Sequence, residues 1–440
     1  MEFVNGVKEK RVLDIREVLE GEYEGKEIRM NGAVHTTRHM GEVAFVILRK
    51  SRGLVQCVYE AGITDFDIRE LKEESAVEVM GVVKAEERAP QGFEIRLKEI
   101  RVLSRPAEPL PLAVSKWKLN TSLEAKLSLR PISLRNVRER AKFKIQEGIV
   151  RGFRDYLLSR DFTEIRTPKI VARGAEGGSN VFKLEYFNKK AELGQSPQFY
   201  KQTMVGVYDR VFEAAPVFRA EKHNTTRHLN EYTSLDFEMG YIDSMYDVMA
   251  METACLRYVM EYLKKHYAYE LELLEADVPV IKEIPCVTLL EAKEILGNKG
   301  SKNKLDLEPE DEVAICEYAK KTFDSDFIFV THFPSSKPPF YAMNSREDSR
   351  LAYKFDLLFR GLEITSGGQR IHDYQEQLDK MHAQGLDPED FKYYLEAHKY
   401  GLPPHGGLGI GLERLVMKLL GLSNVRQASM FPRDINRLLP

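Results

Sequence analysis

Between residues 216 and 231 the chain gathers two arginines (Arg219, Arg227), two histidines (His223, His228) and two carboxylates (Glu221, Glu231) around the polar run Asn224, Thr225, Thr226. Planar guanidinium groups match phosphate oxygens with paired donors, so this stretch suits the gripping of a phosphate; a surface hairpin with ordinary ion pairs has the same composition. A second group runs Asp356, Arg360, Glu363, Ser366, Arg370. Its two acids offer the hard oxygens that magnesium takes, and such a cation would neutralise polyphosphate oxygens; a structural ion-pair network fits the same spacing. A third, Gln195, Gln198 and Lys201, supplies amides and an ammonium, and a fourth, Gly409, Gly411 and Arg414, places an arginine just after glycines that allow close backbone approach. The fourth is not a P-loop, because the lysine followed by serine or threonine is missing.

These groups need elements to aim them. Val211 to Phe218 and Tyr232 to Glu238 flank the polar run, the second alternating about every second position, and predict a strand, a turn and an antiparallel strand. A helix from near Ser196 to Val207 would set Gln198 and Lys201 one turn apart on one face. Residues 354–370 read as an alternating strand whose phase a turn at Gly361 could change, and residues 401–420 as a turn and strand entering a helix. Upstream, Ile145, Ile149, Phe153 and Leu157 recur at helical spacing from about residue 143. The alternating segment 161–167 then meets Pro168, which suits a strand or subunit margin. Gly174 to Ser179 reads as a mobile loop carrying one carboxylate, Glu176. Residues 244–266 form an amphipathic helix whose apolar stripe Glu252 interrupts, and 270–325 show charged helical patterns with no catalytic signal.

The first hundred residues are different. Segments 26–35, 43–49, 54–59, 77–83 and 93–97 carry a two-residue period separated by glycine turns, which predicts a small barrel of the oligonucleotide-binding (OB) kind. Phe45 is its candidate base-stacking residue, with Gln56, His35, Arg38, His39 and Arg49 for polar contacts; Phe45 could equally point inward. The prolines of 105–112 mark a stiff connector. The expected organisation is α+β: an OB-fold barrel over 1–104, a hinge over 105–134, and a domain over 135–440 built on a mostly antiparallel sheet with flanking helices.

At 440 residues and net charge −3, with 43% hydrophobic and 30% charged residues, the chain is long enough for two or three domains and is not held to nucleic acid by bulk charge alone. Its four cysteines, at 57, 255, 286 and 316, form no CxxC pair, which argues against a zinc knuckle and for reduced thiols in a cytoplasmic protein. No run is long and apolar enough to span a bilayer, so no membrane partner is expected.

In order, Phe162 to Pro168 after the helix from about 143, Phe218–Glu221 through Arg227–Glu231, and Gly409–Arg414 resemble the three motifs of class II aminoacyl-tRNA synthetases. The barrel narrows the resemblance to the subgroup for aspartate, asparagine and lysine, and the chain looks most like the archaeal-type aspartyl-tRNA synthetases. The resemblance implies an ATP-dependent ligase that forms aspartyl-adenylate and passes aspartate to tRNA. By that likeness Arg219 and Arg414 are the catalytic arginines. Glu221, Arg227, His228, Leu229, Phe237, Glu363 and Gly411 would complete the ATP pocket with them, Phe237 lying opposite adenine. Glu176, Gln195, Gln198, Lys201, Arg219, Ser366 and Arg370 would hold L-aspartate, Lys201 and Arg370 gripping its side-chain carboxylate; this favours aspartate over asparagine. Asp356, Glu363 and Ser366 would position Mg2+.

The resemblance also places His223, Asn224, Thr225 and Thr226 at the tRNA acceptor end, and Phe45 and Gln56 at the anticodon. His35 and Pro90 stand where members restricted to tRNA(Asp) resemble one another in carrying tryptophan and lysine. That departure resembles the nondiscriminating branch, which charges tRNA(Asp) and tRNA(Asn) and needs a tRNA-dependent amidotransferase downstream. A homodimer with Pro168 near its interface is implied too. Two alternatives remain: an asparaginyl-tRNA synthetase, or a non-charging RNA-binding or regulatory protein on the same fold.

Overall fold

The computed structural model describes residue 6, residues 12–174 and residues 180–439. It forms two compact units, one holding the chain up to residue 121 together with 131–137, the other holding 122–130 and the chain from 138 onward.

In the first unit β1 (Glu27–Met40), β2 (Val43–Lys50), β3 (Gly53–Glu60), β4 (Ala76–Ala85) and β5 (Phe93–Ser104) close into a barrel in the order β1-β2-β3-β5-β4. Alternation decides what faces where: Ala44, Val46 and Leu48 of β2 are buried, as are Val77, Val79 and Val83 of β4. Phe45 therefore lies on the outer face, partly exposed between Val43 and Ile47. A register shift between Val34 and Thr36 marks a bulge in β1. Residues there leave the regular alternation, and His35 is only 3% exposed.

The second unit contains β6 (Thr163–Glu164), β7 (Ile170–Val171), β8 (Lys183–Tyr186), β9 (Lys189–Leu193), β10 (Arg210–Phe218), β11 (Glu231–Gly240), β12 (Cys286–Thr288), β13 (Phe327–Pro334), β14 (Leu351–Phe359), β15 (Glu363–Gln369) and β16 (His405–Gly411). Eight of them form one sheet, ordered β12-β13-β14-β15-β16-β11-β10-β6, and β7-β9-β8 form a small second sheet. Only the outermost joints, β12 with β13 and β6 with β10, are parallel. The expected strand over 161–167 is reduced to the two residues of β6, and Pro168 follows it, exposed.

The two long helices, Val137–Leu158 and Met245–His266, bury their apolar stripes in one core with the sheet. The first begins six residues before the position the spacing suggested. Ser244 and Asp247 form a capping box that starts the second. Glu252 on that helix is 0% exposed, and neither carboxyl oxygen has a hydrogen-bond partner. Burial pushes its pKa up to about 8, the charge of Asp356 adding to the rise, so the side chain is a neutral acid at pH 7.

On β11 the same alternation separates core from site. Leu235, Phe237 and Met239 enter the core. Tyr232, Ser234 and Asp236 face the opposite side and line a cavity.

Candidate active site

The cavity, about 450 Å³, is lined by residues of β11, β14, β15 and β16, the helix Gln198–Tyr208 and the segment 219–229. Lys201, Arg219, Arg227, Lys337, Lys354, Arg370 and Arg414 supply cations, and Glu221, Asp236, Asp306, Glu363 and Glu413 supply carboxylates. So many cations around one cavity suit a polyanionic ligand. The sequence-derived residues Gln195, Gln198, His228, Leu229, Ser366 and Gly411 also line it. Glu176 lies outside the described residues.

One end is dry and charge-balanced. The helix Gln198–Tyr208 buries Gln198, Lys201, Gln202 and Val205, the i, i+3, i+4, i+7 pattern that turns one stripe toward the sheet. Lys201, 2% exposed, donates to Asp236 Oδ1 at 2.9 Å and the Leu408 carbonyl at 2.8 Å, and lies 3.3 Å from Glu238 Oε2. Arg370 donates from Nε to Glu238 Oε1 at 2.9 Å and from Nη2 to the Gly407 carbonyl at 2.9 Å. Gln198 Oε1 accepts more weakly from Arg370 Nη2 at 3.4 Å, and Gln198 donates to Gln202. Glu238 is fully buried; burial opposes its ionisation, yet Arg370 and Lys201 hold its carboxyl below the usual range. Gln195, 4% exposed, donates to the Asn180 carbonyl and keeps an unpartnered Oε1.

Asp236 and Glu238 belong to the strand that the sequence predicts but are not among its candidate site residues. Their signal was the even-numbered face of β11 and the glycines opposite: a Cβ on Gly407 would lie 2.2 Å from Glu238 Oε2, and one on Gly409 would lie 3.1 Å from Asp236 Oδ1. The close approach those glycines permit is therefore to two buried carboxylates.

At the other end, β10 and β11 deliver Arg219, Glu221, Arg227 and His228, and β16 runs into the helix Leu412–Leu419, bringing Gly411 and Arg414. The Arg219 guanidinium lies 5.8 Å from the Tyr232 ring centroid and 3.9 Å from Glu221 Oε1. Arg414 donates to the Glu363 carbonyl at 2.9 Å and the Arg227 carbonyl at 3.3 Å. Burial, with the charge of Arg414 adding to it, lowers His228 to about 4, so its ring is neutral at pH 7. Phe237 does not belong here. It is 0% exposed and packs edge-on against Phe162 at 5.6 Å, because its odd position points into the core; the β11 aromatic that lines the cavity is Tyr232.

Asp356 and Glu363 come together across the β14–β15 joint, where Asp356 pairs with Ser366. Burial raises Asp356 to about 6, the charge of Glu363 adds to that, and Lys354, 2.5 Å from Oδ2, opposes it. Burial also works against ionisation of Glu363, but Arg414, Lys354 and Arg227 hold it below the ordinary range. Asp356 Oδ1 is buried without a hydrogen-bond partner. Among the described residues no group of three or more His, Cys, Asp or Glu is placed to hold a metal alone. Two carboxylates and a hydroxyl fit magnesium, which takes its other ligands from water and phosphate. Arg360 turns away at the strand end to Asp277 and Asp326.

The interval 270–325 does reach the site. Asp306 lines the cavity, and Glu312 accepts from Arg227 at 2.6 Å; a residue so far away in sequence gave no local signal. His223, Asn224, Thr225 and Thr226 are exposed. Arg426, also missed, donates to Asn224 Oδ1 at 2.8 Å and the Thr225 carbonyl at 3.0 Å, anchoring that loop.

On the barrel, Ile47 pairs with Gln56 and Phe45 with Val58, so Phe45 and Gln56 are diagonal neighbours on the outer face. Gln56 donates to Glu94 at 2.9 Å. Pro90 is exposed in the β4–β5 turn. His35 is not placed for direct contact. It is buried at the bulge with Nδ1 3.3 Å from Arg49 Nη1, and Arg49 is in turn clamped by Glu74 at 2.5 and 2.7 Å.

Comparison with known proteins shows the family. Residues 122–435 match the family of tRNA synthetases class II (D, K and N), and residues 28–103 match the OB-fold nucleic acid binding domain. The chain is 46% identical to the aspartate--tRNA(Asp/Asn) ligase of Deinococcus radiodurans, over 95% of this chain and 97% of that protein. It is 39% identical to the aspartate--tRNA(Asp) ligase of Pyrococcus furiosus, again over 95% and 97%. A crystal structure of asparaginyl-tRNA synthetase from Pyrococcus horikoshii, complexed with asparaginyl-adenylate, superposes with a TM-score of 0.87 at 32% identity, covering 95% of this chain and 97% of that one. The synthetase match covers most of the chain and the OB-fold match covers the barrel, and this chain belongs to the class II tRNA synthetases (D, K and N).

Proposed function

We propose that the protein attaches L-aspartate to tRNA(Asp) and tRNA(Asn) through aspartyl-adenylate. The observation that carries the amino-acid assignment is the pair Lys201 and Arg370, both at the buried end of the cavity and both within bonding distance of Glu238. Cations at that depth are placed to recognise a side-chain carboxylate. Gln195 and Gln198 line the same end, where their amides can fix the amino acid's orientation, and Glu176 is proposed to hold its ammonium group. ATP would lie toward Arg219, Glu221, Arg227, His228, Leu229, Gly411 and Arg414, with Tyr232 as the stacking face for adenine.

The aspartate α-carboxylate attacks the α-phosphorus of ATP, forming the acyl–phosphate bond as the bond to pyrophosphate breaks. Arg219 orients the α-phosphate and offsets its developing charge, and Arg414 holds the distal phosphates. The terminal ribose hydroxyl of the tRNA then attacks the activated carbonyl, loses its proton and displaces AMP. Asp356, Glu363 and Ser366 would hold magnesium, which when bound supplies charge neutralisation for the phosphate oxygens. The loop 223–226 would meet the acceptor end, and Phe45 and Gln56 the anticodon, with Pro90 near them. His35 would act on RNA only through Arg49.

The dual-tRNA reading rests on His35 and Pro90 and on the Asp/Asn name of the Deinococcus radiodurans relative. It brings with it a tRNA-dependent amidotransferase as functional partner. A homodimer with Pro168 near its interface, a cytoplasmic setting, and a division into 1–104, 105–134 and 135–440 complete the proposal. No helix among the described residues is long and apolar enough to cross a membrane. Aminoacylation with radiolabelled aspartate on separate tRNA(Asp) and tRNA(Asn) transcripts tests it: both should be charged, and charging of tRNA(Asp) alone overturns the dual reading. A second reading, in which the pocket takes asparagine, has one observation on its side: Lys201 and Arg370 already carry carboxylate partners. Comparing pyrophosphate exchange driven by aspartate and by asparagine separates the two.

A further inference from the structure

Glu312 sits on the helix Pro309–Phe323, 5% exposed, and joins two parts of the site that are far apart in sequence. Both of its oxygens accept from Arg227 Nη2 at 2.6 Å, and Oε2 also accepts the Glu363 backbone N–H at 2.8 Å. Arg414 completes the arrangement from the other side by donating to the carbonyls of the same two residues, Arg227 and Glu363. Four residues from four chain segments thereby close a ring in which Arg227 and Glu363 are each held twice. Only one guanidinium nitrogen of Arg227 is engaged by Glu312, and its Nε is a buried donor without a partner. Such a donor is costly unless something accepts from it.

We propose that Glu312 is a positioning residue for ATP: it fixes Arg227 in the orientation that meets the nucleotide's phosphates and sets the backbone of Glu363 beside it. The inference rests on the synthetase reading above and extends it to a helix far in sequence from the other residues of the phosphate end. Glu312→Gln keeps an acceptor for the Glu363 N–H and loses the ionic hold on Arg227. Glu312→Ala loses both.

The test measures ATP affinity by calorimetry without amino acid, together with the KM values for ATP and aspartate in pyrophosphate exchange. It compares wild type with Glu312→Gln, Glu312→Ala, Arg227→Ala and the Arg227→Ala/Glu312→Gln double variant. Glu312→Gln should weaken ATP by about tenfold, the effect of one lost charged hydrogen bond, and leave the aspartate KM within about twofold. Glu312→Ala should weaken ATP further, and Glu312→Gln should add nothing once Arg227 is gone. The proposal is overturned if Glu312→Gln binds ATP as wild type does or more tightly. It is equally overturned if the ATP and aspartate KM values rise together, as a merely structural role demands, or if the two substitutions act independently. Should Glu312→Gln fail to fold, Glu312→Asp, one methylene shorter, carries the same comparison. Failure of the wild type to exchange pyrophosphate would overturn the synthetase reading, while the calorimetric series would still decide the role of Glu312.

Discussion

Replacing Lys201 by methionine probes the charge-balanced end of the cavity most directly. Methionine keeps much of the length and apolar stem of lysine and removes one ammonium, which here meets Asp236, Glu238 and the Leu408 carbonyl. Asp236 Oδ2 already has no hydrogen-bond partner, so the loss strands a buried carboxylate. Breaking a buried pair from one side costs about 3–5 kcal/mol of stability. If Lys201 also holds the aspartate side chain, a charged hydrogen bond worth about 1.5–3 kcal/mol disappears, lowering kcat/KM for aspartate by about 10- to 150-fold. The two losses separate in the double variant Lys201→Met/Asp236→Asn, which removes both charges together. Most of the stability should return, and kcat/KM should remain low. Denaturant unfolding reads the first quantity, and aspartate-dependent exchange of pyrophosphate into ATP reads the second. Folded Lys201→Met with an unchanged kcat/KM for aspartate, or full recovery of activity in the double variant, would refute the pocket assignment.

Glu252→Gln should change the pH dependence of stability. Folded Glu252 keeps its proton up to about pH 8 while the unfolded side chain releases it near 4.5, so the native state binds the extra proton and stability falls as pH rises through that window. Glutamine has no such titration. The variant's advantage should grow from pH 4.5 to about 8, on the order of a few kcal/mol, and parallel unfolding curves at all pH values would contradict this. Asp356→Asn should raise the magnesium concentration for half-maximal exchange by at least about tenfold; an unchanged magnesium requirement would remove Asp356 from the cation site. Tyr232→Ala should raise the KM for ATP, with Tyr232→Phe close to wild type, whereas Phe237→Ala should lower stability by about 3–5 kcal/mol. Reversed roles for these two aromatics in ATP titrations and melting curves would show that the faces of β11 are misassigned.

The contrast between Phe237 and Tyr232 also shows what a sequence can and cannot disclose. The hairpin was legible because its strands alternate around a polar turn, and the barrel because valines recur at every second position. Which face of β11 meets the ligand was not legible, since parity becomes functional only once helices cover one side of the sheet. Lys201 and Arg370 stood out as cations near amides and glycines. Their counter-ions Asp236 and Glu238 did not, because carboxylates on an alternating strand look like its solvent face. Glu312 and Arg426 had no local signal; their meaning comes from the fold bringing distant helices to the polar loop. His35 was legible as an unusual residue, and the bulge that buries it against Arg49 was not.

The electrical balance of the buried pocket has a consequence for how such enzymes diverge. Lys201 and Arg370 face Asp236 and Glu238 in a near-neutral set of two positive and two negative groups. A guest with a charged side chain arrives as surplus, and a guest with a neutral side chain leaves the sum untouched. Choice between two amino acids of almost the same shape can then turn on a single countercharge, with Lys201 and Arg370 left in place. A lineage could change its amino acid by editing the counterweight and keep the hand.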